Sequence, residues 1–278
     1  MRKTKIELYN DNFQNRKVYN IPKAQLVIAD IPYNLGMNAY ASSPRWYIGG
    51  DNKNGESEFA GKQFFNTDKN FNLAEYMHFC SRLLKPEPKE KNQAPAMIVF
   101  CAFEQMHTII SQGAKQGFPK SYPIFFIKNY SAQTLKANMR IVGAMEYAVV
   151  LYRDKLPKFR TTRKLDGTGN MIFNWFVWER DTKEDGIPKI HPTQKPVRML
   201  KRLIRIFTDE GDTVIDPVAG SGTTLRACME LNRNCYGFEI DKNFYREAKD
   251  KMLIRNYVEI EKDEKQMNLF NFSPSKLR

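Results

Sequence analysis

"DPVAGSGTT", residues 216–224, closes the apolar run "DTVIDP" (212–217) and opens "GTTLRACMELN" (222–232), whose apolar spacing is helical. A strand thus ends at Asp216-Pro217, the chain turns through Gly220-Ser221-Gly222, and a helix starts at Thr223-Thr224. Glycines let such a turn lie close against a ligand, and the helix start supplies free N–H donors. Tight strand-to-helix turns also use glycine for structural reasons alone. Here a further strand, "NCYGFEI" (234–240), follows and carries Glu239 at about the spacing where an acid accepts hydrogen bonds from ribose hydroxyls. A dinucleotide site stays open, although the third glycine of G-x-G-x-x-G is missing.

Outward from this unit the same alternation continues. Strand-length apolar runs recur at "AQLVIAD" (24–30), "AMIVFCA" (96–102), "YPIFFIK" (122–128) and "EYAVVLY" (146–152). Helical spacing marks "NLAEYMHFCSRLL" (72–84), "KPVRMLKRLIRIF" (195–207) and "KNFYREAKDKMLIRN" (242–256). Buried strands alternating with amphipathic helices predict an α/β fold with a mostly parallel, doubly wound sheet, and a chain of 278 residues can bury its core. Ligands then bind at the carboxyl ends of the strands. Cys80, Cys101, Cys228 and Cys235 lack the paired spacings and histidine partners of a zinc site, so they are expected to be buried thiols in a reducing compartment and no metal is expected. No apolar stretch approaches a membrane span, and "MRKTKIELYND" has no signal-peptide core, so a cytoplasmic location is expected.

The net charge is +13, and residues 120–205 hold 18 Lys/Arg against seven Asp/Glu. Aromatics interleave with these charges in "LYRDKLPKFRTTRK" (151–164) and "MIFNWFVWER" (171–180). Phosphates suit such a strip, since cations that displace condensed counterions gain affinity without reading sequence. A solvated basic face would look the same in composition. Arg153, Lys155, Lys158, Arg160, Arg163 and Lys164 are the candidate phosphate contacts, with Trp175 or Trp178 free to stack or to pack in the core.

"ADIPYNLG" (29–36) places a carboxylate at the end of a buried strand, at the rim of the ligand cleft. Asp30 and the backbone carbonyl of Ile31 can each accept a hydrogen bond from an amine. Pro32 fixes the backbone between them and Tyr33 offers a flat face. This set suits an exocyclic amino group on a stacked planar base, whereas D-x-P alone is also a common strand-ending turn.

Taken together these residues resemble a known family. "DIPY" is similar to the (D/N/S)-P-P-(Y/F) motif, "DPVAGSGTT" to D-P-F-x-G-S-G-T-T, and "HPTQKP" (191–196) to the H-P-T-Q-K-P element of S-adenosylmethionine-dependent DNA amino-methyltransferases. The circularly permuted order, catalytic motif first and cofactor motif near the C-terminus, is that of the β class. The resemblance spans roughly residues 5–256 and implies a Rossmann-like methyltransferase fold. It gives Asp30, Ile31, Pro32 and Tyr33 the catalytic role. It assigns Asp30, Asp216, Ala219, Gly220, Ser221, Gly222 and Thr223 to the cofactor, Glu239 to its ribose, Thr193, Gln194 and Lys195 to its methionine end, and Asp11 to its adenine. A solvated turn is the other reading of Asp11, and His191 is expected to orient its loop although a general base is an alternative. Ile31 stands where the family's first proline is usual, which keeps the carbonyl, and Val218 replaces a common phenylalanine.

The implied function is site-specific transfer of methyl from S-adenosylmethionine to the N6 amino group of a flipped adenine in DNA, as in restriction-modification. Aspartate in the first motif position favours adenine; N4 of cytosine, an RNA or a protein glutamine are the alternatives. The expected organisation is a catalytic half at 1–152 with a mobile loop at 34–70, a target-recognition insertion at 153–190, a cofactor-binding half at 191–258 and a flexible tail at 259–278. Within the tail, "QMNLF" (Gln266–Phe270) resembles the Q-x-x-L-F peptide that docks on the bacterial sliding clamp; a segment that merely covers the domain is the other reading. A homodimer is left open.

Overall fold

The structure, a computed structural model, describes residues 4–33, 71–128, 133–136, 141–161, 170–191 and 193–254. The expected mobile loop 34–70, Arg163, Lys164 and the tail with Gln266–Phe270 lie outside the described residues. The strands are β1 (Ile6–Tyr9), β2 (Leu26–Asp30), β3 (Ala96–Cys101), β4 (Lys120–Ile127), β5 (Gln133–Lys136), β6 (Ile141–Gly143), β7 (Met145–Tyr152), β8 (Trp175–Val177), β9 (Thr213–Asp216) and β10 (Asn234–Phe238). Eight of them form one sheet in the order β1-β10-β9-β2-β3-β7-β4-β8, while β5 and β6 pair separately. Every neighbouring pair in the large sheet is parallel except those made by β7, which runs antiparallel to β3 and β4.

The apolar runs become central strands because both faces of the sheet are covered. In β2, Leu26 and Ile28 face one core with α3 (Val197–Phe207) and α4 (Thr223–Glu230), while Val27 and Ala29 face the other with α1 (Leu73–Leu83) and α2 (Met106–Lys115). The side-chain period of two thus feeds both layers from one strand. Asn72 caps α1 by accepting from the backbone N–H groups of Ala74 and Glu75. A final helix, α5 (Lys242–Glu247), is capped by Asp241 and continues into a π-helical turn at Ala248–Met252.

The mostly parallel doubly wound sheet expected from the sequence is therefore present. Among the described residues no helix is long and apolar enough to cross a membrane, and no cluster suited to a metal ion occurs. All four cysteines are free and buried.

Within the expected target-recognition insertion at 153–190, the described residues are tied to the main sheet. Trp175–Val177 is the edge strand β8 of the main sheet, and Trp178 belongs to the core. Because β7 is reversed, its end at Tyr152 delivers the chain to the edge of the sheet where the parallel strands begin. Residues 157–160 run along that edge, with Pro157 bridged to Ala94, the Lys158 N–H bonded to the Ala94 carbonyl and the Arg160 N–H to Ile206.

Candidate active site

The opposite edge, where the parallel strands end, carries the chemistry. Crossing it from β1 to β8, one meets Asp11 after β1, Glu239 after β10, Asp216 ending β9, Asp30 ending β2, Gln105 after β3, Glu146 opening β7, Lys128 after β4 and Trp178 after β8. β2 and β9 pair directly, Leu26 with Val214 and Val27 with Ile215. The DIPY and DPVAGSGTT segments thus begin on neighbouring strands, which lie about 5 Å apart.

The glycine turn is fixed by local chemistry. The Val218 N–H donates to Asp216 Oδ1 at 3.1 Å, the Ala219 N–H to the Phe238 carbonyl at 2.8 Å, and the Gly222 N–H to the Ala219 carbonyl at 2.8 Å. Gly220 and Gly222 both adopt left-handed backbone, at φ 53° and 77°, which favours glycine. Gly237 is needed for another reason: a Cβ there would lie 2.7 Å from Leu225 Cδ1 and 3.1 Å from Ala219 Cβ, so β10, α4 and the turn meet at a point that only a missing side chain allows. Asp216, Ser221, Thr223 and Thr224 are buried polar groups around this turn. Burial pushes the Asp216 carboxyl up to about 7, against the opposing bonds from Thr224 and the Val218 N–H.

Glu239 holds the turn from the neighbouring strand. Its Oε2 accepts from the Gly220 N–H at 2.8 Å and its Oε1 from the Asp241 N–H at 2.7 Å. Burial pushes this carboxyl up to about 7 in spite of those donors. An added Cβ at Gly220 would meet no heavy atom within 4 Å, so the turn faces open space beside Glu239. Next along the edge, Asp11 accepts from Tyr19 Oη, Asn15 Nδ2 and the Asn12 N–H, each at 2.7 Å, and these donors hold its carboxyl below the ordinary value. Asn10 ties the two strand ends together by donating to the Glu239 carbonyl at 2.9 Å. A nucleoside fits this row: donors and a carboxylate at a glycine turn, with a second carboxylate two strands along.

Asp30 sits in a network of four charges. Lys195 Nζ lies 2.5 Å from Asp30 Oδ2 and 3.8 Å from Glu146 Oε2. The Tyr33 hydroxyl lies 3.2 Å from Asp30 Oδ1 and 3.0 Å from Glu146 Oε2, and Lys128 pairs with Glu146 Oε1. The Lys195 side chain is 7% exposed and its ammonium lies 5.6 Å from the ring centres of Tyr33 and Phe100 and 5.9 Å from that of Trp178. Burial pushes the Asp30 carboxyl up from its ordinary value, with Lys195 opposing. Burial also acts on Glu146, but there the two lysines and Tyr33 outweigh it and hold the carboxyl below its ordinary value. Ile31 is buried, and the Pro32 carbonyl accepts from Gln105 Nε2 at 3.0 Å while Gln105 Oε1 accepts from the Ala102 N–H, so the DIPY turn is pinned to the end of β3.

Lys195 reaches this network because the loop before α3 is built for it. Asp181 accepts from the Val197 and Arg198 N–H groups and so supplies the cap that Pro196 cannot. Gln194 uses its own side chain on the loop, accepting from the Ile190 N–H and donating to the Pro188 carbonyl. Thr193 bonds His191 Nδ1 through its hydroxyl and N–H. Burial pushes His191 down to about 4, and its ring lies 4.6 Å from Phe244. The imidazole is thus engaged with its own loop.

Sequence reasoning passed over Glu146, Lys128, Gln105 and Asp181, each hidden in a strand run or a loop whose direction no local pattern reveals. The structure places part of the basic strip away from this network. Arg153 donates to the Ser81 and Lys85 carbonyls and Lys155 to that of Pro88. Lys158, 7% exposed, pairs with Asp209 at 2.9 Å and Asp212 at 2.6 Å, and Arg160 pairs with Asp209 at 2.8 Å. These four cations hold the far edge of the sheet and are not part of the cleft.

An open α/β sheet with one reversed strand and a glycine turn beside an acidic strand end defines a Rossmann-like methyltransferase fold. The chain belongs to the DNA methylase family of N6 and N4 methyltransferases, whose model matches residues 24–250. Members of this family use S-adenosylmethionine. The chain is 26% identical to the type II methyltransferase M.HpaI of Haemophilus parainfluenzae over 82% of its length and 67% of that protein. It is 32% identical to the type II methyltransferase M.MjaI of Methanocaldococcus jannaschii over 52% of its length, and spans about half (53%) of that relative. It is 25% identical to the DNA adenine methyltransferase YhdJ of Escherichia coli over 85% of its length and 79% of that protein. The fold is also that of solved structures: M1.HpyAVI bound to S-adenosylmethionine (TM-score 0.62, 22% identity, covering 90% of this chain and 100% of that one) and the cytosine-N4-specific PvuII DNA methyltransferase (TM-score 0.61, 16% identity, 96% and 91%).

Proposed function

We propose that this chain is a site-specific DNA methyltransferase acting on the N6 amino group of an adenine flipped out of the duplex. The observation that carries the reading is the adjacency of Asp30 and the Asp216–Gly222 turn at the ends of two paired strands, in a chain that belongs to the DNA methylase family. The turn, with Glu239 and Asp11, would hold S-adenosylmethionine, which supplies an electrophilic methyl group when bound. Asp30 and the Ile31 carbonyl would each accept one N–H of the amine. The nitrogen's lone pair, otherwise delocalised into the ring, is thereby turned toward the methyl carbon. As the N–C bond forms and the C–S bond breaks, the nitrogen gives one proton to Asp30. Positioning and preorganised acceptors supply the catalysis, with no covalent enzyme intermediate.

Duplex stacking hides the amine, so the base must leave the helix, and Tyr33 offers a face on which it can stack. Adenine is favoured by aspartate in the first motif position and by the adenine-methylating relative YhdJ. Arg163 and Lys164 remain candidate DNA contacts. The test is nucleoside analysis of DNA methylated by the purified protein. N6-methyladenine is expected; N4-methylcytosine would replace the base assignment, and label in RNA or protein but not DNA would overturn the reading. Docking on the sliding clamp through Gln266–Phe270 is a separate proposal, ended by absence of clamp pull-down with the intact chain.

A further inference from the structure

The transfer as proposed leaves Glu146 and Lys128 without a task, although both stand inside the charge network. The difficulty they address is electrostatic. When the amine nitrogen sheds its proton, Asp30 becomes a neutral acid. The Lys195 ammonium, 7% exposed and 2.5 Å from Asp30, then loses the nearer of its two carboxylate partners. A buried cation with too little counter-charge is costly, and here that cost would fall on the proton transfer itself. Glu146 Oε2 lies 3.8 Å from the same nitrogen and is separately paired with Lys128 through Oε1, so a second anion is already in place.

Resting on the reading of Asp30 above, we propose that Glu146 is a positioning residue that keeps Lys195 paired while Asp30 takes up the amine proton. The alternative use of Glu146 is as the end of a proton relay through the Tyr33 hydroxyl, which touches both carboxylates. The two environments oppose that route. Burial raises the Asp30 carboxyl, whereas Lys195 and Lys128 hold Glu146 low, so a proton resting on Asp30 gains nothing by moving on. Among the described residues the network is also faced by the Cys101 thiol, which burial pushes up to about 12, and by the Asp216 carboxyl, which burial pushes up to about 7 and which the charge of Asp30 raises further.

The experiment compares Glu146→Gln, Lys195→Met and the double variant in single-turnover methyl transfer from labelled S-adenosylmethionine to DNA. Cofactor affinity by calorimetry and thermal unfolding accompany each variant. Glu146→Gln is expected to slow transfer about tenfold or more, with cofactor affinity changed less than about threefold. Its acid limb should move to lower pH, since Lys195 then acts on Asp30 alone and favours the ionised carboxyl. In the Lys195→Met background the same change should have no further effect. Should Glu146→Gln fold poorly, Glu146→Asp serves, with an intermediate rate expected. A normal rate in Glu146→Gln, or an equal loss in both backgrounds, overturns the proposal. The parallel variant Asp30→Ala separates the two levels: if it transfers at the normal rate, the reading of Asp30 has failed, whereas a slow Asp30→Ala beside a normal Glu146→Gln removes Glu146 alone.

Discussion

Two single methyl groups, one at Gly237 and one at Gly220, should separate the stability of the cofactor turn from its capacity to bind. At Gly237 the new Cβ would lie 2.7 Å from Leu225 Cδ1, 3.1 Å from Ala219 Cβ and 3.2 Å from Leu8 Cδ1. Carbon atoms prefer about 3.5–4.0 Å, so the first contact is short by close to an ångström. Leu225 is fully buried and cannot swing away. Overpacking of this kind costs about 1–3 kcal/mol, and at about 2–4 °C per kcal/mol a Gly237→Ala variant should melt roughly 2–12 °C lower. At Gly220 the Cβ meets nothing within 4 Å, and the cost is that of left-handed backbone at φ 53°, about 1 kcal/mol and so about 2–4 °C. That methyl projects into the space beside Glu239. Gly220→Ala should therefore bind S-adenosylmethionine at least ~10-fold more weakly, equal to ~1.4 kcal/mol. Gly237→Ala, once folded, should bind within a few-fold of the parent. Differential scanning fluorimetry and titration calorimetry on the two variants decide it. Unchanged affinity in Gly220→Ala would mean that the cofactor does not lie against this turn.

Asp30→Ala should bind cofactor and DNA yet transfer methyl at least ~100-fold more slowly, the scale of losing a preorganised electrostatic contact; stopped-assay kinetics with labelled donor measure it, and near-normal turnover refutes the role. Glu239 makes cofactor affinity and intrinsic stability respond to pH in opposite directions. Its carboxyl titrates at about 7 in the fold and near its ordinary value when unfolded, so the stability it contributes is complete at acid pH and is lost as pH rises through about 7. Ribose hydroxyls need the ionised form, so affinity should rise up to about tenfold per pH unit between pH ~5 and ~7 and then level off; a flat calorimetric profile would contradict this. Lys158→Met should cost roughly 2–3 kcal/mol, since Asp209 and Asp212 lose a buried partner but keep Arg160 and Lys85. It should leave the salt dependence of DNA binding unchanged, whereas loss of a phosphate contact would lower the slope by about 0.9.

What the sequence made legible was local. An apolar run followed by Asp216 and three small residues can be read without neighbours, because strand, turn and helix start are consecutive. The same holds for Leu26–Asp30 and for the helical spacing of Val197–Phe207. β1 was missed because all four of its residues are only half-buried, and α2 because it is short and only Ile109 and Gly113 of its ten residues are buried. The fate of Lys158 and Arg160 was unreadable for a different reason: their partners Asp209 and Asp212 lie some fifty residues away, and composition registers a cation whether it faces solvent or an aspartate.

The direction of β7 carries the largest consequence. The run "EYAVVLY" reads as a buried strand in either orientation, yet orientation decides which of its ends meets the cleft. Parallel, it would bring Tyr152, Arg153 and the basic segment to the site and bury Glu146 at the far edge, among the groups that now pair with Lys158. Antiparallel, as paired with β3 through Cys101 and Tyr147 and with β4 through Ile127 and Met145, it does the reverse. One reversal therefore exchanges a set of cations for a single carboxylate beside Asp30. It also gives Lys195 two anions in place of one, which is the arrangement a buried ammonium needs if one of those anions is to be neutralised during the reaction.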